Sequence, residues 1–123
     1  LAGNFMIAAA CEAMGEAFTL CERHGIDRGA AHQLFSNTLF ASPVYKGYGA
    51  QIAAGEYQPA GFPMTLGLKD LTLAGDAAVI KRMPMPLADL CRQRLTAGLA
   101  RGRDDWDWAG LAQGASDDAN LPD

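Results

Sequence analysis

Apolar positions recur at helical spacing along almost the whole chain. Between Leu1 and His24, residues Phe5, Ala8, Ala9, Met14, Ala17, Phe18 and Cys21 fall on or near a period of about 3.6 residues, with Glu12, Glu16, Glu22 and Arg23 between them. Gly25 suits a helix C-terminus, and Asp27 suits the N-cap of a second helix from Arg28 to Thr38 whose apolar side is Ala31, Leu34 and Phe35. Ser42-Pro43 repeats the start signal, a capping hydroxyl followed by proline at the first helical position, and predicts a third helix over Val44 to Ala54, weakened by Gly47 and Gly49. Gly55 to Pro63 holds two glycines and two prolines and reads as a loop. A fourth helix is predicted over Thr65 to Met83, with Leu66, Leu73, Ala77 and Ile80 on one side. The "MPMP" run at Met83 to Pro86 breaks it, and a fifth helix runs from Pro86 or Leu87 to Arg101, ended by Gly102. "DDWDWAGLA" caps a short sixth helix. From Ser116 onward the chain is acidic and polar, and this tail (116–123) is expected to fray beyond a domain spanning 1–115. β-branched residues are few and nothing alternates over a useful length, so the chain reads as all-α with about six helices.

Composition narrows the function classes. The 123 residues suffice for one domain with a real core, and the balance of half hydrophobic to one-fifth charged is that of an ordinary globular protein. A net charge of -4 argues against gripping a phosphate backbone, so no nucleic-acid partner is expected. The three cysteines, Cys11, Cys21 and Cys91, form no CxxC pair, which leaves no zinc-ligand spacing; they read as buried reduced thiols of a cytoplasmic protein. No apolar stretch is long enough to span a bilayer, and the run Phe5 to Ala10 lacks the length and basic flank of a signal peptide. The start at Leu1 rather than Met leads us to expect a domain cut from a longer chain.

A few polar residues fit a plain helical bundle poorly. Asn4 sits in the first turn of an apolar helix, where it either caps a free backbone N–H or points its amide into a cleft to hold a hydroxyl or carbonyl. In "GFPMTLGLKDLTLAG", Phe62, Thr65 or Leu66, and Lys69 share one stripe if the helix extends back that far. Lys69, flanked by Leu68 and Leu71, can pack its stem and extend its ammonium to a phosphate, a ribose hydroxyl or a carboxylate. Asp70 points about 100° away and need not pair with it; both also fit an ordinary solvated charge pair. "SPVYKGYG", Ser42 to Gly49, brings two tyrosines, a lysine and two glycines that either line a pocket or form an amphipathic helix with half-buried rings. His24 and His32 have no acid, cysteine or metal-type spacing, and no P-loop, GxGxxG or nucleophile elbow occurs.

With those residues in view, "GNFMIAAACEAMGEAFTLCERHGID" followed by "F...LGLKDLTLA" resembles the C-terminal domain of the β-hydroxyacid dehydrogenases, including 3-hydroxyisobutyrate dehydrogenase, tartronate semialdehyde reductase and the glyoxylate/succinic semialdehyde reductases. The resemblance extends from Gly3 to the "DWDWAGLA" ending. It implies a helical domain like the C-terminal part of 6-phosphogluconate dehydrogenase, preceded in the parent protein by a Rossmann domain carrying GxGxxG. It also implies NAD or NADP as cofactor, a small hydroxy or oxo acid as substrate, a homodimer or higher homo-oligomer, and a chain that is inactive by itself. Asn4 matches the asparagine of the family's K-x-x-x-N motif, which holds substrate, with the acid/base lysine immediately before Leu1. Lys69 matches the "KDL" lysine that contacts the cofactor, and Phe62 and Asp70 match the aromatic and the acid bordering the same cleft. An imine-reductase branch with a different acid, and a non-catalytic helical dimerisation module, remain the alternative readings.

Overall fold

The computed structural model describes residues 1–120. Its six α-helices are α1 (Ala2–Arg23), α2 (Arg28–Ser36), α3 (Pro43–Ala54), α4 (Met64–Ile80), α5 (Pro86–Ala100) and α6 (Gln113–Asp118), and a 3-10 turn, Trp108–Ala112, leads directly into α6. Among the described residues no strand forms; an isolated antiparallel bridge joins Pro63 and Asp107. The caps follow the predicted chemistry. The Asp27 carboxylate accepts from the Ala30 N–H and the Ser42 hydroxyl from the Tyr45 N–H, each satisfying a free first-turn donor. Gly55 closes α3 at φ 67°, a left-handed conformation that suits glycine.

The core gathers around α1. Phe18, Ile52, Met64, Leu71, Leu95, Trp108 and Leu111 are fully buried and belong to one cluster. Small residues set the approach distances. A Cβ at Gly15 would lie 2.6 Å from the Ala112 carbonyl oxygen, so α1 rests directly on the backbone of the 3-10 turn. A Cβ at Gly67 would lie 2.9 Å from Trp108 Cε3, so α4 meets the indole directly.

Three expectations are corrected. First, the apolar stripe of α4 is not the buried one. Leu66, Leu73 and Ile80 are 45, 44 and 78% exposed and Ala77 is also exposed, whereas Met64, Gly67, Leu71, Ala74 and Ala78 face the core. Beside the large Met64 and Leu71, the inner face carries Gly67, Ala74 and Ala78, and the missing side chain at Gly67 lets α4 approach Trp108 closely. Second, the segment from Ser116 onward does not fray over its described length. Ser116 is buried with its hydroxyl 3.1 Å from that of Thr19, Asp117 pairs with Arg103 at 2.8 Å, and Asp118 pairs with Arg94 at 2.6 Å. These acids read as a solvated tail because their arginine partners lie at a distance along the chain; residues 121–123 of the expected tail lie outside the described residues. Third, Cys21 is only half-buried, while Cys11 and Cys91 are buried; all three are free. Burial pushes the Cys11 thiol far up and the Cys91 thiol to about 11, so neither supplies a thiolate near neutral pH.

A polar tie holds the termini of the fold together. Glu12, on the inner face of α1, accepts from Arg94 Nε at 3.1 and 3.2 Å through both oxygens, and Arg94 reaches on to Asp118. Burial, then a hydrogen bond with Glu16, push the Glu12 carboxyl up to about 8 from an ordinary 4.5, against the pull of the Arg94 guanidinium. A folded value above the unfolded one makes the contribution of Glu12 full below pH 4.5 and lost as pH rises through about 8. Arg94→Met takes the hydrogen-bond donor away from the buried Glu12 and from Asp118 and is expected to cost about 1–3 kcal/mol. Because the carboxyl then moves further up, the gap in melting temperature between wild type and Arg94→Met should stay constant up to about pH 8 and widen above it.

Tyr57 behaves differently. Its hydroxyl is buried with no hydrogen-bond partner among the described residues, and burial pushes its ionisation well above the usual range. Because the fold already carries the cost of that unpaired group, Tyr57→Phe should unfold at the same temperature as wild type or higher in a thermal melt.

Candidate functional site

Asn4 occupies the first turn of α1 and is half-buried. Capping is not its role: Leu1 holds the N-cap position and no side chain caps α1. The Asn4 side-chain nitrogen instead donates to Asp70 Oδ2 at 2.6 Å, which ties the start of α1 to the second turn of α4. Asp70 therefore turns toward α1. Lys69, one residue earlier, is exposed and forms no ion pair among the described residues. The expectation that Lys69 and Asp70 need not pair is met, and the helix splits the two charges between a buried edge and solvent.

Phe62 is placed elsewhere than on the expected stripe. α4 begins at Met64 with Pro63 at its N-cap, so Phe62 precedes the helix and does not share its face with Lys69. The proline holds the chain extended, at φ -62° and ψ 151°, and directs the phenyl ring edge-on to Trp108 with centroids 4.9 Å apart. Both backbone groups of Phe62 are committed: its N–H donates to Asp107 Oδ1 at 2.9 Å and its carbonyl accepts from the Trp108 N–H at 2.7 Å.

The sequence reading took "DDWDWAGLA" as a helix cap, which Asp107 is, but missed that Asp107 and Trp108 organise this corner. Asp107 is 3% exposed, and its carboxylate accepts from the backbone N–H groups of Gly61, Phe62 and Ala109. Trp108 Nε1 donates to the Tyr48 hydroxyl at 3.2 Å. Beside them lies a hollow of about 350 Å³ bordered by Pro43, Gly47, Tyr48, Gln51, Gly61 and Phe62. "DWDW" carried part of the signal, since an aspartate at the start of a helical turn is a capping pattern, but the loop it captures is far away in sequence. The "SPVYKGYG" segment thus serves two surfaces. Pro43, Gly47 and Tyr48 line this hollow, while Tyr45 lines a separate apolar pocket of about 220 Å³ with Phe18, His32, Phe35 and Phe40. His32 is structural: its Nε2 lies 3.1 Å from the Tyr45 carbonyl, to which it can only donate, and its ring meets Phe18 edge-on. Among the described residues no cluster of His, Cys, Asp and Glu is placed to hold a metal ion, and no helix is long and apolar enough to cross a membrane.

Residues 1–114 match the family described as the NAD-binding domain of NADP-dependent 3-hydroxyisobutyrate dehydrogenase. The chain belongs to this family. An oxidoreductase of Bacillus subtilis named YfjR, itself uncharacterised, is 40% identical over 108 residues, which is 88% of this chain and 37% of that protein. The 3-sulfolactaldehyde reductase of Escherichia coli is 29% identical over 114 residues, 92% of this chain and 38% of the reductase. Two solved structures share the fold. The 3-hydroxyisobutyrate dehydrogenase of Salmonella typhimurium superposes with a TM-score of 0.81 at 22% identity, over 90% of this chain and 39% of that one. The 3-hydroxyisobutyrate dehydrogenase of Mycobacterium tuberculosis, in a structure with L-serine, superposes with a TM-score of 0.77 at 22% identity, over 92% of this chain and 40% of that one. The chain thus spans about two-fifths of the length of the relatives it matches. Membership assigns an NAD(P)-binding oxidoreductase domain to this helical fold.

Asp107→Ala removes one charged acceptor from three backbone donors and should destabilise the fold by about 2–3 kcal/mol. Hydrogen exchange should localise the loss, with the Gly61 and Phe62 amides exchanging faster than those at the centre of α1.

Proposed function

We propose that this chain is the substrate-binding and dimerisation half of an NAD(P)-dependent reductase or dehydrogenase of small 3-hydroxy acids or semialdehydes. The observation that carries the reading is the corner formed by α1 and α4, in which Asn4, Asp70 and an unpaired, exposed Lys69 come from segments distant in the chain. The names of the relatives point the same way, since they act on 3-hydroxyisobutyrate or 3-sulfolactaldehyde. An exposed ammonium with no ion pair suits a dinucleotide phosphate or ribose hydroxyl, so Lys69 fits the role of cofactor contact. Phe62, with its backbone held by Asp107 and its ring by Trp108, offers a fixed apolar edge for the same ligand. When bound, the nicotinamide supplies the hydride chemistry.

In this reading the residues of the chain bind and orient. Asn4 holds the substrate's oxygen at the start of α1. A lysine one helical turn earlier lies on the same face and carries the proton to or from that oxygen. A Rossmann domain preceding the chain forms the opposite wall. The outward-facing Leu66, Leu73 and Ile80 support a face covered by another subunit or domain in the assembled protein.

The test uses the full-length protein with NADH and NADPH and a panel of small semialdehydes and 3-hydroxy acids. Asn4→Ala should lower kcat/KM for the acid by at least roughly tenfold, and Lys69→Ala should raise the cofactor KM by roughly tenfold with an unchanged melting temperature. The chain expressed by itself should give no turnover. If both variants keep wild-type turnover and cofactor KM, the non-catalytic dimerisation module is the better reading.

A further inference from the structure

The hydrogen bond between Asn4 and Asp70 fixes an orientation as well as a contact. A carboxylate only accepts, so the Asn4 atom facing Asp70 must be the amide nitrogen. The usual ambiguity between the two ends of an asparagine amide is thereby settled by chemistry. The carbonyl oxygen Oδ1 lies in the same amide plane on the other side of Cγ and accepts no hydrogen bond among the described residues. Asn4 thus offers an acceptor away from α4, beside a negative charge.

We propose that Asp70 is a positioning residue, which holds the Asn4 amide so that its carbonyl oxygen accepts a hydrogen bond from the alcohol of a 3-hydroxy acid. This rests on the dehydrogenase reading above and changes the role of Asp70 within it, from a cofactor contact to a residue that acts through Asn4. The same charge disfavours the substrate's carboxylate at this corner, because two anions within a few ångströms repel. Asn4 therefore reads the hydroxyl end of the molecule, which has a proton to donate, and leaves the carboxylate to groups elsewhere in the cleft. Proximity in the fold makes this possible: the two residues are 66 positions apart, and α1 and α4 pack side by side.

The full-length protein tests this by exchanging donor and acceptor. Asn4→Asp sets two carboxylates against each other and should lower kcat/KM for the 3-hydroxy acid by roughly a hundredfold. Asn4→Asp combined with Asp70→Asn restores the hydrogen bond with its direction reversed and keeps an acceptor at position 4; it should recover at least about tenfold of that loss. Asp70→Ala should raise the KM for the 3-hydroxy acid by roughly tenfold and leave the cofactor KM near wild type. A double variant no better than Asn4→Asp at equal melting temperature, or an Asp70→Ala effect confined to the cofactor KM, would overturn the proposal. A second readout is independent of activity. In the 15N spectrum, one side-chain amide proton of Asn4 should lie downfield in wild type and move upfield in Asp70→Asn, and an unmoved signal would likewise overturn it. Absence of NAD(P)-dependent turnover of any 3-hydroxy acid by wild type would remove the dehydrogenase reading itself, and the assignment of the alcohol with it; an active wild type with the outcomes above reversed removes only the role given to Asp70.

Discussion

A methyl group on residue 67 would collide with the indole of Trp108, its Cβ lying 2.9 Å from Cε3. That contact seats α4 on the 3-10 turn, and much of the remaining architecture depends on it. The same indole meets Phe62 and Tyr48 edge-on and donates to the Tyr48 hydroxyl, so three distant segments take their positions from one ring. Asp107, immediately before it, satisfies three backbone donors of which two belong to the 61–62 loop. A buried carboxylate with several N–H partners is well compensated, and it converts a Gly/Pro-rich connection into a defined wall. One side of the candidate site is therefore built from the turn that leads into α6.

The other side depends on α1. Its close approach to Ala112, allowed by the missing side chain at Gly15, sets its height in the bundle. Polar ties then fix it along its length: Asn4 to Asp70 near the start, Glu12 to Arg94 in the middle, and Thr19 to Ser116 near the end. Arg28 adds a connection from α2 to Glu22, to Ser116 and to the Ile52 carbonyl. Each of these pairs joins residues on different elements, so the position of Asn4 is coupled to the packing of the whole domain. Such coupling would hold a ligand atom at a defined place in the role proposed for Asn4.

The elements themselves were largely legible. Asp27, Ser42-Pro43 and Gly55 act locally, through a side chain or a backbone preference within a few residues, and each marks a boundary where it was expected. Asn4 shows the limit of such reasoning. A first-turn amide is a sensible cap by local chemistry, and only a carboxylate on α4 at hydrogen-bonding distance gives it another partner. Phe62 shows the reverse case: helical spacing placed it on a stripe with Lys69, but α4 starts only at Met64, after Pro63 at its N-cap, so Phe62 lies outside the helix. The acidic residues Asp117 and Asp118 read as solvated until Arg94 and Arg103 are brought beside them.

By itself, then, the amino-acid order determined the all-α class, most helix starts and stops to within a few residues, and the family to which the chain belongs. These are properties of short range or of residue type. Tertiary structure decided which face of α4 is buried, that Asp107 rather than a nearer residue shapes the loop around Phe62, and that Asn4 faces Asp70. The physical reason is common to all three. Close packing and hydrogen bonding depend on atoms within a few ångströms, and in this domain those atoms come from positions tens of residues apart, which no local pattern can bring together.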